Sequence, residues 1–282
     1  MKQIGINLMV WSGQVGQETI DLFPRIKEWG YNGVEVPVFE PDTLDTSAIR
    51  SALAATGLHC TVSTALPTGL ALIDEATRQA SVDWLQQVIK TAAALGASVV
   101  CGPLAAPVGD LRGRGYITAE WESCVLAFKD LGQVASEHGL TLALEPLNRF
   151  ETFFVNTVSD AVRLMDAVDH PAVGLLLDTF HMNIEEKSIP AAISQAGSHL
   201  KHFHCSENDR GTVGRGHIPW SNVFAALGAI NYEGWLVVES FGAAIPELAA
   251  AACVWRPLAP SPEALAEESL HFIWRQLHTL RL

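Results

Sequence analysis

One cadence recurs along the chain. An amphipathic stretch runs out near a glycine, and within a few residues an apolar, β-rich run begins. It appears as KEWGYNGVEVPV, ALAATGLHCTVS, AAALGASVVCG, ASEHGLTLALEP and INYEGWLVVES. A glycine at that place suits the left-handed position that ends a helix, and the run after it reads as a strand entering a core. The pattern predicts eight strands, near Gly5–Val10, Gly33–Val36, His59–Ser63, Ser98–Gly102, Thr141–Glu145, Gly174–Asp178, His202–Ser206 and Trp235–Glu239. Helical stretches lie between them. Val82, Leu85, Val88, Ile89, Ala92 and Leu95 keep the three-to-four spacing of one buried helical face. Thr118 is placed to cap a helix over Ala119–His138. Ser261, Pro262 and Glu263 read as the cap, first position and first turn of a final helix.

Strand and helix alternate with no break in composition, so the expectation is one (β/α)8 TIM barrel domain over residues 1–282. A doubly wound open sheet is the runner-up. It would normally carry a glycine-rich turn after its first strand, and MVWSGQVGQE, with Gly13 and Gly16, does not make that fingerprint.

A barrel enzyme places its reactive groups at the C-terminal ends of the strands. The fifth to eighth predicted strands end in LALEP, LLLDTFH, HFHCSE and LVVESF. They bring Glu145, Asp178, His204 and Glu239 to one mouth. Three carboxylates and an imidazole in a partly buried cleft repel unless compensated. A divalent cation would compensate them. Oxygen-rich ligation without thiolate favours Mn²⁺ or Mg²⁺, with Co²⁺ acceptable and zinc less suited. Any one acid at a strand end is as readily a helix cap or half of an ion pair; four in succession carry the argument. His202 and His204 point to the same side of their strand, and His204 is preferred as the ligand because it lies nearer the strand's end.

Bulk properties narrow the class. The net charge of −13 argues against a nucleic-acid binder. With mean hydropathy +0.20, apolar runs are still broken well short of the ~18–20 residues a membrane span needs. MKQIGINLMVW lacks the apolar region of a secretory signal, so a cytoplasmic location is expected. The five cysteines show no CxxC spacing and read as reduced thiols, several of them small core residues.

From EPLNRFE through LDTFHMNIEE and HCSENDRGTVGRGHIPW to ESF, the sequence resembles the ketose 3-epimerases, the D-tagatose, D-psicose (allulose) and L-ribulose 3-epimerase group of the xylose isomerase-like TIM barrels. VWRP near Val254 resembles that family's late Trp-Arg segment. The resemblance is strongest from Glu145 to Phe241 and weaker in the first half. It implies a metal-dependent isomerase that inverts C3 of a free ketose. Glu145, Asp178, His204 and Glu239 would hold one divalent ion, Mn²⁺ first, and Glu145 and Glu239 would double as the acid/base pair. Glu151, His181 and Arg210 would bind sugar oxygens, with Trp11 and Phe241 as apolar walls. From local sequence alone, His181 could be a helix-start histidine, Glu151 and Arg210 loop charges, and Trp11 a core aromatic; Arg215 and His217 stay unassigned. The loop CGPLAAPVGDLRGRGY, Cys101 to Tyr116, departs from the family's pattern, which leaves the sugar open.

The pattern of residues also admits the same barrel acting on a phosphorylated ketopentose, hydroxypyruvate or an inosose. A phosphate dianion would want a cluster of donors, and none is evident in the sequence. A nuclease resembling endonuclease four should carry more strand-end histidines and a basic surface. A non-catalytic sugar-binding barrel would not need two facing glutamates. The expected assembly is a homodimer or homotetramer, with no nucleic-acid or membrane partner. The apolar tract AAIPELAAAACVWRPLAPSP would pack on a second subunit or on its own barrel.

Overall fold

The computed structural model describes residues 2–241, 249–250 and 252–280. Eight parallel strands, β1 (Gln3–Asn7), β2 (Gly33–Pro37), β3 (His59–Ser63), β4 (Val99–Gly102), β5 (Thr141–Leu144), β6 (Val173–Asp178), β7 (Leu200–Cys205) and β8 (Trp235–Val238), follow one another around a closed barrel. β8 pairs back onto β1, with Gln3 opposite Trp235 and Ile6 opposite Val238. The strands are buried nearly throughout, because helices cover them outside and side chains fill them inside. That double burial is why they read as continuous apolar runs rather than as alternating ones.

Helices return the chain between strands and bury the faces their periodicity marks. On helix Glu75–Leu95, Val82, Leu85, Val88, Ile89, Ala92 and Leu95 are all buried. Gly30, Gly57, Gly96 and Gly139 take positive φ after their helices, as the cadence requires. The last repeat differs. After helix Trp220–Ala229 it is Asn231, at φ 54°, that turns the chain, and Gly234 serves close packing instead, since a Cβ there would strike the Tyr232 ring. Thr118 is the first residue of helix Thr118–Glu137 rather than its cap. The Glu120 carboxylate reaches back to the Ile117 N–H at 2.8 Å and serves that end. The final helix, Pro262–Leu280, starts as read, with the Ala264 N–H donating to Ser261 Oγ at 3.1 Å.

The first strand is shorter than its apolar run. It stops at Asn7, whose side chain accepts from the Met9 N–H and turns Leu8–Val10 into a 3-10 turn. This local bond redirects three buried residues from the sheet to the rim. The tract over 243–262 lies partly outside the described residues; within it Val254 is buried and Trp255 is 76% exposed. Among the described residues no helix is long and apolar enough to cross a membrane.

Candidate active site

The barrel's C-terminal mouth collects the side chains that the strand ends pointed to. Asp178 closes β6 and His204 is the penultimate residue of β7, while Glu145 and Glu239 each stand one residue beyond β5 and β8. One ligand atom from each of the four lies within 4.8 Å of the others, and all four residues are buried.

The charges at this spot are strongly coupled. Burial drives the Glu145 carboxyl well above the ordinary range, and the nearby Glu239 and Asp178 charges push it further. Burial also raises Glu239, against the pull of His204 and Arg210. Burial opposes ionisation of Asp178 too, but the Arg210 guanidinium and His204 outweigh it and hold Asp178 well below its usual value. The His204 imidazole is disfavoured as a cation by burial, yet Glu239 and Glu35 raise it well above an ordinary histidine.

A divalent ion fits these residues. His204 Nδ1 is buried without a hydrogen-bond partner, 3.2 Å from Glu239 Oε1 and 3.8 Å from Asp178 Oδ2. Such an orphaned nitrogen among carboxylates suits coordination better than packing. The donor set, three carboxylates and one imidazole, is that of a hard cation.

Around this cluster lies a cavity of about 160 Å³. Glu145, Glu151, His181, His204, Arg210, Glu239 and Phe241 line it. Asp178 sits behind them, tied to the cavity through Arg210, whose Nη1 donates to Asp178 Oδ2 at 2.7 Å and Glu239 Oε2 at 2.6 Å. The guanidinium lies over Phe180 at 4.0 Å and Phe241 at 5.0 Å from the ring centroids. Glu151 Oε1 accepts from Asn148 Nδ2 at 2.7 Å. His181 Nε2 stands 3.5 Å from Glu145 Oε1.

Trp11 does not join this group. It stacks on Trp29 with ring centroids 6.2 Å apart and its Nε1 lies 3.4 Å from Glu263 Oε1. The early end of β1 is the cause: the turn after Asn7 aims Met9, not Trp11, into the cavity. Arg215 pairs with Glu268 on the surface, and the His217 side chain is exposed.

The Cys101–Tyr116 segment is fixed by its own contacts. The Gly109 N–H donates to Glu151 O at 2.7 Å, and Asp110 bridges Thr152. Arg112 bonds Asp74, Asp110 and Glu120 at 2.7–2.9 Å. This holds Val108 at the cavity's outer wall.

Sequence reading missed a second buried group inside the barrel. Glu35 of β2 accepts from Asn7 Nδ2 at 2.8 Å and Thr61 Oγ1 at 2.9 Å. His202 Nε2 lies 2.6 Å and His204 Nε2 2.8 Å from its oxygens, although the second approach lacks hydrogen-bond geometry. Burial opposes the Glu35 charge, but the two imidazoles hold its carboxyl well below the ordinary range. The signal was present in GVEVP, where strand periodicity turns Glu35 to the barrel interior. His202 therefore faces Glu35, while His204 reaches both Glu35 and the Asp178 and Glu239 carboxylates.

Comparison with known proteins shows the family. Residues 23–275 match the family model described as xylose isomerase-like TIM barrel. A "probable ketose 3-epimerase" of Synechocystis sp. is 38% identical over 98% of this chain and 97% of its own length. The ketose 3-epimerase of Arthrobacter globiformis is 31% identical, covering 99% and 98% of the two chains. A crystal structure of the Methylomonas sp. D-allulose 3-epimerase in complex with D-allulose superposes with TM-score 0.92 at 29% identity, over 98% of this chain and 97% of that one. With a closed eightfold barrel, four side chains able to hold a cation converging at its mouth, and ketose 3-epimerase relatives matched over nearly their whole length, this chain belongs to the ketose 3-epimerase family of the xylose isomerase-like TIM barrels.

Proposed function

We propose that this protein inverts C3 of a free ketose of the D-tagatose, D-fructose/D-psicose or L-ribulose type, passing protons between Glu145 and Glu239. The observation that carries the reading is the pair itself. The two buried carboxyl groups come from strands separated around the barrel by β6 and β7 and line one cavity. Epimerisation needs one base and one acid at once, and two carboxyl groups that reach one cavity from different strands can supply them.

A divalent cation held by Glu145, Asp178, His204 and Glu239, with Mn²⁺ preferred and Mg²⁺ or Co²⁺ as substitutes, would polarise the C2 carbonyl and acidify the C3 hydrogen. One glutamate takes the C3 proton, leaving a cis-enediolate of the sugar. The other returns a proton to the opposite face, and the roles swap with reaction direction. His181 offers a neutral N–H to O2. Arg210 and Glu151 hold the remaining oxygens near this end, while Val108, Leu147 and Phe241 exclude water at the apolar side. We further read the chain as one barrel domain acting as a cytoplasmic homodimer or homotetramer. Its five unpaired cysteines suit a reducing compartment.

A free sugar is favoured over a phosphorylated one by the lining. Among the described residues the cavity has one arginine and no lysine, and Arg210 is already engaged by Asp178 and Glu239. The charge of −13 opposes a nuclease role. The test is a substrate panel: protein stripped with chelator and reloaded with Mn²⁺, given D-fructose, D-tagatose, L-ribulose, ribulose 5-phosphate and xylulose 5-phosphate. Chromatography should find C3-inverted products from free ketoses. Turnover confined to the two phosphates would replace this reading with the phosphoketose one.

A further inference from the structure

Arg210 is held in an unusual way. Its backbone is left-handed, at φ 63°, a region that side-chain-bearing residues other than Asn and Asp rarely occupy. Such a conformation persists only where its surroundings over-determine it. Two backbone contacts are direct. The Arg210 N–H donates to Glu207 O at 2.9 Å, and Ser240 Oγ donates to Arg210 O at 2.5 Å. Elsewhere in the loop the Val213 N–H donates to Ser269 Oγ at 3.0 Å and the His217 N–H to Asn208 Oδ1 at 2.9 Å, and the largest single set of bonds is gathered by Glu207.

The Glu207 carboxylate is completely buried, at 0% exposure. Its partners are all neutral N–H donors. Oε1 accepts from Asn208 N and Ile218 N, each at 3.1 Å, and Oε2 from Gly214 N at 2.8 Å and Trp220 Nε1 at 2.9 Å. One acid thus fastens the end of β7, the middle of the following loop and the start of helix Trp220–Ala229. The motif GRGHIPW finds its reason here. Gly214, at φ 86°, presents its N–H to the acid, and a Cβ on Gly216 would press into the Glu207 carboxylate and the Asn208 side chain. Nothing in the acid/base scheme uses Glu207.

We propose that Glu207 is a positioning residue. By gathering four N–H donors it sets the loop that forces Arg210 into its left-handed state, and so aims the guanidinium between Asp178 and Glu239. A carboxylate is required because it accepts on both oxygens. A glutamine of the same shape would turn an NH₂ against two N–H donors and leave them unpaired.

The test is Glu207→Gln in the full chain, with Trp220→Phe as the milder variant that removes one donor and keeps the fold. The primary readout is the set of Arg210 guanidinium NMR signals in metal-free protein, assigned by their loss in Arg210→Lys. Wild type should show slowly exchanging, dispersed N–H signals. In Glu207→Gln they should collapse to the solvent-exposed position, with partial loss in Trp220→Phe. The inference rests on the proposed ketose site only for its kinetic consequence, a fall in kcat/KM of about a hundredfold, the size of an ångström-scale misplacement, with KM raised as well as kcat lowered. Arg210 signals unchanged in both variants would overturn the proposal, whatever the turnover. The guanidinium signals need no substrate, so failure of the positioning role and failure of the epimerase reading are told apart.

Discussion

Burial and the nearby Arg210 charge push the His181 imidazole down to about 3. The Asn148 N–H donates to its Nδ1 at 3.1 Å, which leaves the proton on Nε2, the nitrogen nearer Glu145. In that tautomer the 3.1 Å approach of Arg210 Nη2 to Nε2 is not a hydrogen bond. His181 is therefore neutral across the working pH range with its N–H on Nε2, and in the proposed reaction it would polarise a carbonyl without carrying charge. Its replacements should rank by that property. His181→Ala should lower kcat/KM by about 10²–10³-fold, the usual loss of one oxyanion donor. His181→Gln, which restores an N–H, should keep at least about tenfold more of it. Equal losses in steady-state kinetics would remove the donor role. Much at this scale was legible in the sequence, because the candidate residues stand at the ends of apolar strands: Glu145, Asp178, His204 and Glu239 meet as their positions in the strands predict. Glu35 was not, since an acid inside a strand is read as noise until its partners Asn7, Thr61 and His202, distant in sequence, are seen around it.

The elements carry the next layer. The loop after β4 is held by charge as well as by apolar packing, with Leu104, Ala105 and Ala106 buried and Arg112 and Arg114 converging on Glu120 at the start of helix Thr118–Glu137. Hydrogen bonding from Arg114, aided by the Ile117 N–H and by Arg112, outweighs burial and lowers Glu120 to about 2. A carboxyl whose folded acidity is depressed stabilises the protein above the ordinary carboxylate range, and that contribution is lost as pH falls through about 2. Glu120→Gln should lower Tm at pH 7 by about 2–4 °C, the size of a ~1 kcal/mol loss from a partly water-screened network in a domain this large. The gap from wild type should narrow between about pH 4.5 and pH 2 and close below that. A gap independent of pH in calorimetry would mean that packing, not charge, fixes the loop. Boundaries of this kind escape sequence patterning because local side-chain bonds override it. Asn7 ended β1 three residues before the apolar run did, which is why Trp11 stacks on Trp29 while Met9 enters the cavity. The alternation itself was enough for the barrel, since it marks eight strands, and eight strands close in sequence order.

At the scale of the whole molecule, the mouth concentrates three carboxylates, an imidazole and a guanidinium in one buried place, and the fold tolerates them only while they compensate one another. A cation that binds the folded barrel and not the open chain should raise its stability, by about 2.7 kcal/mol at a hundredfold excess over Kd. In a domain of this size that is about 5–10 °C in Tm. Thermal unfolding with chelator and with Mn²⁺ checks it, and coincident curves would mean that the four side chains do not form a cation site. The central claim is that Glu145 and Glu239 exchange protons with C3 of a ketose. It is tested most directly by incubating Mn²⁺-loaded protein with D-fructose, D-tagatose and L-ribulose in deuterated water and reading C3 by NMR. The account predicts deuterium at C3 together with inversion there, and loss of both in Glu239→Gln. Inversion without any label at C3, or no exchange on any ketose while the metal is demonstrably bound, would contradict it.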